Sequence, residues 1–175
     1  MGRILELACG TGIWSEKLSP YASSLTLVDA SAEMLEVAEQ RLGSSTTQFV
    51  HADLFDWQPE ERFDTIFFSF WLSHVPPERF VDFWTGVENS LVPGGRVFFV
   101  DSRHDHTSTA IDHRLPGARA TTLRRRLNDG REFQIYKIYY DPDELERRLD
   151  DLGWRIRVFR TERYFVYGHG QRSPA

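Results

Sequence analysis

Ile4-Leu5-Glu6-Leu7-Ala8-Cys9-Gly10-Thr11-Gly12 is the stretch on which the fold turns. Arg3 to Leu7 is apolar enough for a buried strand, and it runs through small residues into a helix expected from about Ile13. Gly10 and Gly12 let backbone come closer to a ligand than a Cβ would permit. The helix N-terminus beyond them offers N–H groups to a negative group, here an amino-acid carboxylate. Glu6, just before the turn, stands where a ligand ammonium would arrive, directly or through water. Cys9 lies between Ala8 and Gly10 with no activating histidine near it in sequence, and reads as a small residue lining a tight turn.

Outward from this stretch, strand-like and helix-like segments alternate, which predicts an α/β domain with a parallel sheet and helices on both faces. Leu25–Val28, Gln48–His51, Thr65–Phe70 and Arg96–Val100 are the next strands. Ser31 caps a helix with Met34, Leu35, Ala38 and Leu42 at helical spacing. Pro77–Leu91 forms another, stopped by Pro93-Gly94-Gly95. Residues 102–120 read as a loop. Asn128-Asp129-Gly130 between Thr122–Leu127 and Glu132–Tyr139 signals a hairpin, an insertion over residues 121–139. Asp141-Pro142-Asp143-Glu144 opens a helix and Gly153 closes it. Trp154–Phe159 and Arg163–Tyr167 form a terminal antiparallel pair.

The 175 residues fit one domain, residues 1–175, that buries about 70% of its unfolded surface. Net charge is −5 and the basic residues are scattered, which argues against a nucleic-acid partner. Aromatic residues reach 14%, a content that suits gripping a flat ring. The single cysteine excludes an internal disulfide and fits a reducing cytoplasm. No apolar run approaches the roughly 18 residues of a membrane span, so a membrane partner is not expected. A homodimer stays open.

A nicotinamide dinucleotide and S-adenosylmethionine (SAM) both bind such glycine loops, and Gly-x-Gly alone does not separate them. Asp29, at the end of the second strand, can accept from ribose hydroxyls in either case. Asp53 in His51-Ala52-Asp53-Leu54 is placed to accept from an adenine amino group while Leu54 covers the ring, and a dinucleotide site does not typically need that second acid. The terminal antiparallel pair also departs from dinucleotide folds. Both features favour SAM.

Leu5–Gly12, Leu25–Met34, His51–Leu54, Asp64–Pro76 and Leu91–Asp101 together resemble the successive motifs of class I SAM-dependent methyltransferases. The tracts Asp53–Trp57 and Phe70–Pro76 and the Asp-Gly hairpin look closest to the phosphonate O-methyltransferase branch of dehydrophos biosynthesis. The resemblance implies a Rossmann-like, seven-stranded, mostly parallel sheet with an antiparallel last strand. It implies SAM as cofactor, S-adenosylhomocysteine (SAH) as product, and cofactor contacts at Glu6, Ala8, Gly10, Asp29, Asp53 and Leu54, with Ser69 contributing its backbone. The same segments put Gly12, Ala30 and Met34 at the cofactor. Family members usually have Gly where this chain has Ala8. They also carry a helical lid ahead of the first strand; with Met1 at the strand's edge, that segment is expected to be missing.

Methyl transfer is an in-line displacement, and the protein's main task is alignment. An anionic oxygen needs no base, whereas an alcohol or phenol needs one. The candidates are His74, beyond the fourth strand, and His104, after the fifth. His74 has an equal alternative as a helix-start residue bonded to local backbone. Trp71 is expected to wall a substrate pocket. Arg103, Arg124 and Arg126 are candidate clamps for an anionic acceptor, against the plainer reading of solvated arginines. Arg103-His104-Asp105-His106 invites a metal reading, but ligand geometry argues for a solvated loop, and no metal is expected. The expected function is methyl transfer to an oxygen of a small anionic metabolite. The alternative is a lid-less SAM-fold core that binds a partner and catalyses little.

Overall fold

The computed structural model describes residues 2–43, 47–105, 122–126 and 132–173, with only the backbone given from 124 to 126. The apolar runs become β1 (Arg3–Leu7), β2 (Ser24–Asp29), β3 (Thr47–His51), β4 (Phe63–Ser69) and β5 (Leu91–Ser102). After them come β6 (Thr122–Arg126), β7 (Glu132–Tyr136), β8 (Trp154–Arg160) and β9 (Phe165–Arg172). Seven of these make one sheet in the order β3-β2-β1-β4-β5-β9-β8, while β6 and β7 pair separately. All strands of the sheet point the same way except β9, which is antiparallel to both β5 and β8. This is the sheet the resemblance implied.

Alternation along β1 sends Leu5 and Leu7 to one face and Ile4 and Glu6 to the other. Leu5, Leu7, Phe68, Val97 and Phe99 meet α3 (Phe80–Asn89) and α4 (Pro142–Asp151) in the larger core. Ile4, Leu25 and Leu27 meet Leu35 of α2 (Ala32–Leu42) in the smaller one. α2 begins as the sequence indicated, with the Ser31 hydroxyl accepting from Met34 N–H, and ends at Gly43 in the left-handed region. α4 is likewise capped by Asp141, which accepts from the N–H groups of Asp143 and Glu144.

Several boundaries differ from expectation, among them the end of β7 at Tyr136 rather than Tyr139. The helix expected from Ile13 is a single turn, α1 (Ser15–Leu18), followed by a 3₁₀ turn over Ser19–Tyr21 containing Pro20. Such a short helix has little macrodipole to offer a carboxylate. The helix expected from Pro77 begins with a 3₁₀ turn, Pro77–Arg79. β5 starts before Pro93-Gly94-Gly95 rather than after it, because Leu91 pairs with Phe63 and the register shifts before Arg96. β9, expected to end at Tyr167, runs on to Arg172 through Gly168-His169-Gly170. Glycine is needed in the strand there because a Cβ at Gly168 would lie 2.4 Å from the Phe99 ring.

The hairpin insertion is present, with Arg124 opposite Gln134, although its Asn128-Asp129-Gly130 turn and the loop from 106 to 121 lie outside the described residues. Across the β4, β5, β9 and β8 part of the α1–α2 face, Trp14, Phe67, Phe98 and Arg155 line a groove of about 710 Å³. Among the described residues no helix is long and apolar enough to cross a membrane.

Trp84 joins α3 to the sheet and to β8, with ring centroids 5.9 Å from Phe68 and 5.2 Å from Trp154. Its indole N–H is buried and makes no hydrogen bond. Trp84→Ala is therefore expected to lower unfolding free energy by about 3–5 kcal/mol in denaturant titrations. Trp84→Phe should cost clearly less, because no hydrogen bond is lost with the indole.

Candidate active site

Parallel pairing in register brings the ends of neighbouring strands to one edge. Leu7 pairs with Val28 and Phe68, and Asp29 with His51, so the residues that follow β1 to β4 gather together. Glu6 lies just inside this edge at 1% exposure. Neither of its carboxylate oxygens has a hydrogen-bond partner. Burial pushes its pKa from 4.5 up to about 7, with the Ser15 hydroxyl pulling weakly the other way. A buried, unpartnered carboxylate is costly, and a cationic ligand would relieve that cost.

After β1 the chain turns through Ala8 at φ 51° and Gly10 at φ 54°. Left-handed backbone costs a residue with a Cβ about 1 kcal/mol, so alanine at this position holds strain that glycine would not. Asp29 fixes the loop: one carboxylate oxygen accepts from Gly10 N–H at 2.8 Å and the other from Ser31 N–H at 2.9 Å. The two expected glycines differ in role. A Cβ on Gly10 would meet nothing within 4 Å, whereas one on Gly12 would lie 3.0 Å from the Ala38 Cβ of α2. Gly12 is thus required for packing against the helix, and Gly10 keeps the loop open. Cys9 is buried, and burial together with the Glu6 and Asp29 charges pushes its thiol pKa far up, which leaves it unreactive.

Ala30 follows Asp29 and is exposed, its carbonyl 3.0 Å from the His51 ring. Met34 is partly exposed in the first turn of α2. Asp53 caps its own turn, accepting from Phe55 N–H at 2.9 Å, and Leu54 packs against the larger core. Ser69 ends β4 and is followed by Phe70 at φ 53°. Ala8 and Phe70 are the non-glycine residues with positive φ among those described, and they follow adjacent strands. Strain of this kind persists where the surroundings enforce it, and it collects at binding sites.

Beyond β4, Trp71 packs its ring 5.8 Å from Phe55, with a buried indole N–H that makes no hydrogen bond. His74 closes a 3₁₀ turn, Leu72–His74, and its Nδ1 lies 2.7 Å from the Tyr136 carbonyl. A carbonyl only accepts, so Nδ1 carries a proton. The partner is backbone, as the plainer reading had it, but 62 residues away rather than local. His104 sits edge-on to Tyr139 at 5.1 Å. Arg103 turns toward the β8–β9 connection, where one guanidinium nitrogen donates to the carbonyls of Thr161 and Glu162, each at 3.2 Å. Local carbonyls thus hold an arginine expected to face substrate. The side chains of Arg124 and Arg126 lie outside the described residues.

Sequence reasoning missed Lys137 and Asp101. Lys137 Nζ donates to Ser73 Oγ at 2.8 Å and Ser102 Oγ at 3.1 Å, and lies 3.4 Å from Asp101. The available signal was that Lys137 is one of only two lysines, with Lys17, among 21 basic residues. Among the described residues there is no group of three or more His, Cys, Asp or Glu side chains able to hold a metal.

Residues 4–95 match the methyltransferase-domain family. The chain is 40% identical over 98 residues to a demethylmenaquinone methyltransferase of Clavibacter sepedonicus, covering 54% of this chain and 39% of that one. It is 31% identical over 168 residues to a ubiquinone biosynthesis O-methyltransferase of Xylella fastidiosa, covering 93% and 64%. It therefore spans well under two thirds of the first of these relatives and slightly under two thirds of the second. Among solved structures, a DhpI–SAH complex superposes with a TM-score of 0.85 at 40% identity, covering 99% of this chain and 78% of that one. A DhpI–SAM–HEP complex gives 0.83 at 42% identity, covering 96% and 77%. The fold is Rossmann-like, of the class that the DhpI–SAH and DhpI–SAM–HEP complexes share. The chain belongs to the methyltransferase-domain family, on its class I branch and close to DhpI.

Glu6 generates a pH prediction. Its folded pKa of about 7 lies above the ordinary 4.5. The folded state therefore binds the extra proton between these values, and stability falls as pH rises through them. Glu6→Gln should be more stable than the wild type at pH 8, by up to about 3 kcal/mol, at 1.36 kcal/mol per pKa unit. The difference should close below about pH 4.5, as read by thermal unfolding of the ligand-free protein across pH.

Proposed function

We propose that residues 1–175 act as a single domain that transfers the methyl group of SAM to an oxygen of a small anionic metabolite. The carrying observation is Glu6, a carboxylate buried at the sheet edge with no partner in the protein. In this reading it receives the ammonium of the methionine part. Asp29 keeps lone pairs for ribose hydroxyls beyond the two N–H groups it already accepts, and Asp53 does the same for the adenine amino group. Leu54 covers the ring, with Ala30 and Met34 bordering it. Gly10, Ala8 and the Ser69 backbone bound the methionine part.

Bound there, SAM supplies an electrophilic methyl group on a sulfonium. The chain's task is to align the acceptor oxygen with that methyl and keep water out, positioning worth about 7–11 kcal/mol when geometry is near attack. His74 is the base that accepts the proton of an acceptor O–H; an already anionic oxygen needs no such transfer. Trp71 walls the acceptor pocket, and His104 stands by as a second base. The likeness to the DhpI–SAM–HEP complex supports a small-molecule acceptor. Arg124 and Arg126 on β6 supply positive charge for an anionic one. Net charge −5 supports a partner other than nucleic acid, and a cytoplasmic setting fits the single buried cysteine.

Calorimetry should show SAM and SAH binding, and Asp29→Ala should weaken it by about 1.5–3 kcal/mol, the scale for hydrogen bonds to a charged group. Unchanged affinity in that variant, or no heat from folded wild-type protein, would remove the assignment. Acceptor choice is read by mass spectrometry on paired acceptors that differ only in an acid group, with Arg124→Met and Arg126→Met alongside. The anionic members should react preferentially, and the arginine variants should erode that preference.

A further inference from the structure

Glu6 is enclosed by groups that cannot neutralise a charge. In the strand register it stands between Leu27 of β2 and Phe67 of β4, both buried. Trp14, from the turn beyond β1, sets its ring 5.6 Å from that of Phe67. Ser15, which opens α1, is fully buried, and its hydroxyl is the group that favours the charged carboxylate. The titratable groups bearing on this point are Cys9, whose thiol feels the Glu6 charge, and Asp29 of β2, which acts on the same thiol. Neither supplies positive charge. Among the described residues no group bonds to either Glu6 oxygen.

A carboxylate taken out of water without a cation is costly, and such a group keeps its proton instead. Burial accordingly lifts Glu6 to about 7 from 4.5. Below neutrality the neutral acid predominates. An ammonium gains little from a neutral acid and much from a carboxylate, so the two cations, proton and ammonium, compete for one site.

We propose that cofactor binding is coupled to proton release at Glu6: the carboxyl is protonated in the ligand-free protein and loses that proton to solvent as the ammonium of SAM or SAH arrives. The inference rests on the reading that Glu6 receives this ammonium, and adds what the site must give up. The carboxyl O–H bond breaks, the proton passes to buffer, and the ammonium keeps its own protons. One positive charge replaces another, so the buried site gains no net charge. Because the ligand-free protein binds the extra proton, acid opposes the cofactor. Affinity for SAH should fall about tenfold for each pH unit below the Glu6 value and be level just above it.

The experiment is calorimetric titration of the full chain with SAH at about pH 6, where an α-amino group, with its ordinary value near 8, remains charged. Two buffers of different protonation enthalpy are used, and the difference in heat counts protons. About half a proton to one should be released per SAH bound. 5′-Methylthioadenosine, which keeps adenine and ribose but lacks the amino acid, should release none. Glu6→Gln should bind SAH without release, and its affinity should be level between about pH 5.5 and 7. Difference infrared spectra of the wild type should lose a protonated-carboxyl band when SAH is added. If Glu6→Gln fails to fold, the two-buffer titration and this band decide the matter. SAH binding without release, or equal release with 5′-methylthioadenosine or in Glu6→Gln, overturns the proposal alone. Failure of SAH to bind the folded wild type at any pH overturns the cofactor reading, and the proposal with it.

Discussion

The carboxylate of Asp29 holds two backbone N–H groups at once, Gly10 from the first loop and Ser31 from the start of α2. The edge of the sheet depends on this knot. It closes the β1 loop onto β2, so that Gly12 lies against Ala38 and α2 covers the smaller core. Glu6, on the strand that leads into this loop, is 1% exposed, and burial is the main cause of its raised pKa. The Asp29 interaction thus shapes the loop and seats the helix against it. A charge-assisted bond to backbone is strong enough for this where ordinary side-chain contacts are not.

Against that gain stands local strain. Ala8 and Phe70 both adopt left-handed backbone, at the ends of neighbouring strands. The Phe70 N–H bonds to the Val100 carbonyl at 2.8 Å, which holds the kink, and its ring rests edge-on to Phe165 at 5.8 Å. Two costly backbone positions on either side of a costly buried carboxylate would be a poor arrangement for stability alone. They make sense where backbone must be presented to a ligand.

Much of this was legible in the sequence. Period-two and apolar runs predicted the central strands, and Ser31, Asp141 and Gly153 marked helix ends, because those signals act locally. Glu6, Asp29 and Asp53 could be placed at the edge because each lies within two residues of a strand's end. What could not be read was tertiary in origin. Nothing local carries β9 past Tyr167 into Gly168 and Gly170, and the need for glycine there is set by the Phe99 ring against the first of them. Gly12 looks like a ligand-facing glycine until Ala38 is seen against it. Arg103 looks free to meet an anion until the Thr161 and Glu162 carbonyls are in place. Lys137 carries no local signature, since its partners are 35 to 64 residues away.

The same sheet edge contains two acids that are each only 1% exposed, and the protein treats them in opposite ways. Asp101 receives two backbone N–H groups and a lysine brought in from a distant segment. Glu6, equally deep, receives no backbone N–H group and no cation, and the Ser15 hydroxyl is the group that pulls its pKa down. The chain therefore has the means to neutralise a buried carboxylate where the need is structural. Where it withholds those means, burial raises the pKa of the acid instead, and its charge is left to be compensated by a proton or by a cation that enters from outside.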